Sequence, residues 1–224
     1  MGKCVIKGVS QREKAAKWYR RFHVSDYVTL LHLPFSIVVL DFAIIGAMMA
    51  KSVYADRLIL AMIGVFFAHQ GAHYLDEIRG HHWSTKIPDR TLFALSFLFL
   101  AVGAVIGVYL SLTVSFFLLI FILPMIFFPI AYSLELWNDR FHRPLGFGVS
   151  CALVCIGSYF LQALTVSLFS LFMSTAIGIQ GTYIIILYEA TKEGKTAALA
   201  WDALKGIVIL WNFVALAMIT ARLV

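Results

Sequence analysis

Histidines and acidic residues recur at helical spacing in one short stretch of the chain. His69, His73 and Glu77 are four residues apart, so on a helix they form one row, and Asp76 lies on the neighbouring row. Two imidazoles four residues apart on a helix can bind one ion, and a carboxylate one turn further extends the set. The spacing therefore predicts a metal site with His69, His73 and Glu77 as ligands, and Asp76 as a catalytic carboxylate.

Two further polar clusters follow later in the chain. Glu135, Asp139 and His142 share a helical face in the first, and Glu189 begins the second. We expect Glu135, His142 and Glu189 to complete the metal site from facing helices, and Asp139 to be a second catalytic carboxylate. His32, near the start of the first apolar run, lies at the same side of the membrane as these ligands. It is a candidate to hydrogen-bond to one of them without binding the metal itself.

The rest of the sequence is typical of a membrane protein. Of its 224 residues 61% are hydrophobic and 13% charged, and the mean hydropathy is +0.88, which excludes a soluble domain. Continuous apolar runs of about 20 residues exclude a β-barrel and predict an all-α, polytopic transmembrane bundle. Seven spans are predicted, at 28–50, 58–78, 92–110, 114–134, 145–164, 168–188 and 204–223.

The distribution of charge predicts the orientation. Fifteen of the 18 Lys and Arg residues lie before span one or in and next to the loops after spans two, four and six, with Lys205 counted at the start of span seven. Because such residues stay on the cytoplasmic side, the N-terminus is expected there and the C-terminus outside. In a membrane chain the net charge of +6 does not indicate a nucleic-acid partner.

Residues 1–26 are predicted to be a separate cytoplasmic segment, ahead of a transmembrane domain at 27–224. Within it, 11–22 combines Lys and Arg with Trp, Tyr and Phe, as expected for an amphipathic helix at the membrane interface. A solvated basic leader is the alternative. Membrane lipid is a predicted partner in either case.

The order of these elements resembles the UbiA-type intramembrane prenyltransferases. In that family an N-x3-D-x3-D motif ends span two, and here the same place reads His69-x3-His73-x3-Glu77. The following loop closes with Pro88-Asp89-Arg90-Thr91-Leu92, the stretch 145–162 is similar to the family's fifth span, and a second acidic motif reads Glu189-x3-Glu193. The resemblance covers about residues 27–205.

The resemblance implies prenyl transfer from a diphosphate to a lipid-soluble acceptor. Loop cations would then bind the substrate: Lys86, Arg90, Arg140, Arg143, Lys192 and Lys195. The family holds magnesium with carboxylates, whereas two imidazoles favour iron, zinc or manganese. The family usually has nine spans, so a homo-oligomer or a membrane partner is expected to complete a seven-span bundle.

Two other functions stay open at this point. The histidines are equally typical of a membrane oxidoreductase or hydrolase that uses one or two transition-metal ions on a lipid or quinone. A non-catalytic subunit that binds lipid or a partner is the remaining alternative.

Overall fold

A computed structural model describes residues 24–80, 85–137, 143–192 and 197–223. Within these ranges the chain forms helices and connecting turns, without a strand. The helices are α1 (Val24–Leu31), α2 (Leu33–Met48), α3 (Ala55–Gly80), α4 (Asp89–Thr113), α5 (Leu119–Ser133), α6 (Pro144–Ala163), α7 (Leu168–Lys192) and α8 (Ala197–Leu223), with a 3₁₀ turn at Phe116–Leu118 before α5.

Among the residues that the structure describes, seven segments are long and apolar enough to cross a membrane, which confirms the predicted number and identifies a multi-pass membrane protein. Most predicted ends fall within a few residues of the observed ones. The last span differs most, because α8 begins at Ala197 and not near residue 204. Trp201, Asp202 and Lys205 lie among its first nine residues, and their polar groups end the apolar run without ending the helix. The predicted interfacial helix at 11–22 lies outside the described residues.

The first span is broken at His32, between α1 and α2. His32 adopts a left-handed backbone conformation, with φ 41° and ψ 51°, two residues before Pro34. The Leu31 carbonyl at this break accepts hydrogen bonds from Ser36 Oγ at 2.7 Å and Gln70 Nε2 at 3.0 Å. These bonds satisfy a backbone oxygen that would otherwise be left without a partner inside a membrane.

Small residues allow α6 to lie close to its neighbours. A Cβ at Gly148 would lie 2.1 Å from Thr182 Oγ1, so a larger residue there would force α6 and α7 apart. A Cβ at Gly46 of α2 would lie 2.1 Å from the Cys155 carbonyl oxygen of α6. Close approach of backbones through small residues is the usual way in which transmembrane helices pack.

The bundle has two distinct ends. We call the end at which α2 and α6 begin, and at which α3, α5 and α7 finish, the polar end. At the opposite end Arg222 of α8 donates hydrogen bonds to the carbonyls of Met48 at 3.0 Å, Lys51 at 2.9 Å and Ala50. Since these are carbonyls at the C-terminus of α2, the last helix is fastened to the first span there.

Candidate functional site

A cavity lies at the polar end between α2, α3, α5, α6 and α7, with an empty volume of about 1080 Å³. The helices that form it bring together polar residues that are far apart in sequence. Its polar lining consists of His32, His69, His73, Asp76, Tyr132, Ser133, Ser150, Cys151, Tyr188, Glu189 and Lys192.

The wall contributed by α3 carries the histidine pair. His69 Nε2 and His73 Nε2 lie 3.1 Å apart, and the two ring centroids are 4.4 Å apart. Asp76, seven residues after His69, lines the same cavity. At this separation the two nitrogens either share one proton in a hydrogen bond or bind one ion together.

The break at His32 places a third imidazole beside this pair. The His32 ring centroid is 5.5 Å from that of His73, 4.3 Å from that of Phe35 and 6.0 Å from that of Tyr188. The backbone break between α1 and α2 therefore brings His32 to the imidazoles of α3.

An ion pair lies at the rim of the cavity, near the end of α7. Lys192 Nζ is 2.8 Å from Glu189 Oε1 and 4.7 Å from the centre of the Tyr188 ring. The side chains of Lys192 and Glu189 are 37% and 55% exposed, so the pair contributes about 1 kcal/mol or less to stability. Both charges remain accessible to a ligand that enters the cavity.

Glu77 has a different position from the one expected from its spacing. Its buried carboxylate accepts hydrogen bonds from the Thr85 backbone N–H at 3.0 Å and from the Thr85 hydroxyl at 2.8 Å. It is not among the residues that line the cavity. The structure thus places Asp76, and not Glu77, in the wall of the cavity that the histidine pair also lines.

The remaining predicted site residues divide into two groups. Glu135, Lys86, Arg90 and Arg143 are described but do not line the cavity. Four further predictions fall outside the described residues: Asp139, Arg140, His142 and Lys195. In the part of the chain that the structure describes, no group of three or more His, Cys, Asp or Glu is arranged to hold a metal ion as the side chains stand.

A second, apolar pocket of about 600 Å³ lies deeper in the bundle, between α3, α4, α5 and α6. Three of its lining residues also line the polar cavity: Val65, Ala68 and Met125. Ser158 is the one hydroxyl group in its lining as described. The polar cavity and the apolar pocket are therefore neighbours that share these three wall residues.

Sequence reasoning did not find Tyr132 and Tyr188. Both lie at the polar ends of membrane spans, and Tyr188 directly precedes Glu189. A tyrosine in that position is usually an interfacial anchor, so its type alone does not indicate a site. The only sequence feature that indicates a role for Tyr188 in the site is its position next to the predicted metal ligand Glu189.

The fold and the cavity define a class: a multi-pass α-helical membrane protein with a polar cavity at one end and an apolar pocket beside it. Comparison of the chain with protein-family models, with curated proteins and with solved structures finds no match. The site therefore has to be interpreted from its own chemistry.

Proposed function

We propose that the protein is a UbiA-like intramembrane enzyme that acts on a prenyl or other lipid-soluble substrate. The observation that carries this proposal is that the polar cavity and the apolar pocket lie side by side and share Val65, Ala68 and Met125 in their linings. In such an arrangement the polar head of a lipid-like substrate would lie in the polar cavity, and its hydrocarbon tail would lie in the apolar pocket. Concave sites with mostly apolar walls and a few polar groups are the usual form of small-molecule sites.

Prenyl transfer assigns definite roles to the cavity residues. The bond between the allylic carbon and the diphosphate oxygen breaks, the acceptor forms a bond to that carbon, and the acceptor loses a proton. In this proposal Asp76, which lines the cavity, takes that proton, and Lys192, the predicted substrate-binding cation in the described lining, pairs with the diphosphate. A bound divalent ion would neutralise the departing diphosphate.

The donor set favours a transition metal over magnesium. The His69 and His73 nitrogens fit two positions on one ion, whereas the Glu77 carboxylate is directed to Thr85. Imidazole suits iron and zinc, while magnesium requires oxygen ligands. The same observation supports a second candidate, a metal-dependent membrane oxidoreductase or hydrolase that acts on a lipid or quinone.

The orientation belongs to the proposal as well. With the N-terminus in the cytoplasm, the polar end and its cavity face the cytoplasm, where water-soluble diphosphates and metal ions are supplied. The predicted distribution of Lys and Arg supports this orientation.

The experiment compares three sets of membranes: with the wild-type protein, with the Asp76→Asn variant, and with the Asp56→Asn variant. Asp56 is exposed at the opposite end of α3 and serves as the matched control. Each set receives radiolabelled geranylgeranyl diphosphate with manganese, zinc, iron or magnesium. We expect a labelled lipid that Asp76→Asn reduces about 100-fold and Asp56→Asn leaves unchanged. Identical labelled lipids in all samples and in membranes without the protein would exclude prenyl transfer.

A further inference from the structure

Two imidazole nitrogens in the cavity have the separation that a shared metal ion requires. Nitrogens bound to zinc lie about 2.0–2.1 Å from the ion, so at angles between about 90° and 109° they are about 2.9–3.4 Å apart. The Nε2 atoms of His69 and His73 are 3.1 Å apart, within that interval. Their positions, one turn apart on α3, need little change to bind an ion together.

The third imidazole, that of His32, is close to the His73 ring of this pair. Rings that share an ion have centroids about 4.5–5.2 Å apart, from the same bond lengths and angles. The His69–His73 centroid distance of 4.4 Å and the His32–His73 distance of 5.5 Å lie on either side of that interval. A shift of the His32 ring by well under 1 Å would bring this pair into it.

The backbone around His32 explains how its side chain comes to line the cavity. His32 is the residue that precedes α2, yet its side chain makes no capping hydrogen bond to that helix. Gln70 and Ser36 instead satisfy the broken turn, with Gln70 Nε2 also donating to Ser36 Oγ at 2.7 Å. A left-handed conformation in a residue other than glycine is uncommon, and here it places an imidazole in the cavity wall.

We propose that His32, His69 and His73 together bind one transition-metal ion, with the His32 ring closing onto the pair when the ion binds. This inference rests on the metal site of the proposed function and names three of its ligands. It does not require that the reaction is prenyl transfer. Asp76 and Glu189 line the same cavity and leave the remaining positions of the ion to a carboxylate, water or substrate. An ion with such open positions is suited to catalysis.

The rival interpretation is a pair of neutral histidines that share a hydrogen bond, with His32 stacked on Phe35 as a packing residue. That arrangement binds no ion. It also predicts that replacement of His32 changes packing only. The binding of zinc or cobalt(II) therefore distinguishes the proposed metal site from the packing interpretation.

The test uses the full-length protein in detergent, loaded with zinc or cobalt(II) in the presence of a competing chelator. The variant His32→Asn removes the imidazole but keeps a residue that tolerates the left-handed conformation, and His32→Gly is a second such variant. His32→Cys offers a thiolate in place of the imidazole. His82→Asn, at a position outside the described residues in the loop after α3, is the matched control.

We expect one zinc per chain in the wild type, at least a tenfold loss of affinity in His32→Asn and His32→Gly, and no loss in His82→Asn. In His32→Cys, cobalt(II) should show a thiolate-to-metal charge-transfer band that the wild type lacks. X-ray absorption of the zinc-loaded wild type should show three imidazole ligands, a result that depends on no variant.

Wild-type affinity in both His32→Asn and His32→Gly, or two imidazoles by X-ray absorption, would overturn the assignment of His32 and leave the histidine pair in place. A wild-type protein that binds neither ion would overturn this inference and the metal site of the proposed function together. Lipid binding and prenyl transfer, measured separately, would still decide the rest of the proposed function.

Discussion

The Glu77 carboxylate accepts hydrogen bonds from both the backbone N–H and the hydroxyl of Thr85, at 3.0 Å and 2.8 Å. The contact holds Thr85, in the connection between α3 and α4, against the helix that carries the histidine pair. Glu77 is completely buried and does not line the cavity, so these hydrogen bonds fix the position of Thr85 relative to α3.

Replacement of Glu77 by Ala should therefore lower stability without removing metal. Loss of the carboxylate leaves a Thr85 N–H without its acceptor, and we expect a decrease of about 1–3 kcal/mol in the free energy of unfolding. Thr85→Val, which loses the hydroxyl bond alone, should cost about 1 kcal/mol. Thermal unfolding in detergent and zinc content measure the two effects. Loss of zinc in Glu77→Ala but not in Thr85→Val would instead make Glu77 a ligand.

His73→Ala should abolish metal retention and leave the helices intact. The helices keep their own backbone hydrogen bonds, so the fold does not depend on this side chain, whereas the ion would lose one of the two Nε2 atoms that α3 supplies. Elemental analysis and circular dichroism of the purified variant test the two statements, with His82→Ala as control. Full metal content in His73→Ala would show that the row is structural and would favour a non-catalytic lipid-binding or partner-binding subunit.

The geometry of an α-helix explains which part of this site could be predicted from the sequence. Each residue turns about 100°, so residues His73 and Asp76 lie within about 40° of His69, while Glu77 lies about 80° away. Gln70 lies on the same side of the helix as Glu77, and both are fully buried. Spacing by four located the end of this helix correctly. It did not separate the face that lines the cavity, which carries Asp76, from the packing face, which carries the next residue, Glu77.

His32 shows what the sequence did not reveal. Pro34 lacks the N–H that would continue the helix, and that is a visible signal of a break in the first span. Whether the residue at such a break points into a cavity depends on the packing of Gln70 against Leu31, which is a contact across 39 residues. The number of spans, by contrast, depends only on local hydropathy, and it was predicted correctly.

Arg222→Met should loosen the attachment of α8 to the end of α2. The guanidinium contacts three backbone carbonyls, and hydrogen bonds to a charged group contribute about 1.5–3 kcal/mol each when they are well formed. Because these contacts are exposed in part, we expect a loss of about 1–3 kcal/mol, measured as a lower unfolding temperature. Arg90→Met, in the first turn of α4 and exposed, should have little effect. Equal stability of the two variants would contradict the assigned role of Arg222.

The predicted orientation can be tested with a reporter fused after Val224. Seven spans and an N-terminus in the cytoplasm place that fusion on the extracytoplasmic side. Alkaline phosphatase, which is active only outside the cytoplasm, should be active in the fusion, and a cytoplasmic reporter at the same site should not. The reverse pattern would invert the orientation and place the polar cavity outside the cell.

The most direct test of the central claim is photo-crosslinking with a photoreactive farnesyl probe in native membranes, followed by mapping of the labelled peptides. We predict that the label falls on the walls shared by the polar cavity and the apolar pocket, near Met125, and that unlabelled farnesyl lipid competes with it. Met125→Trp, which enlarges a residue that lines both spaces, should reduce this labelling at least tenfold, whereas Phe97→Trp on the exposed face of α4 should not. Uniform labelling of exposed positions such as Phe97, without competition and unchanged by Met125→Trp, would contradict the claim that these two spaces hold a lipid-soluble substrate.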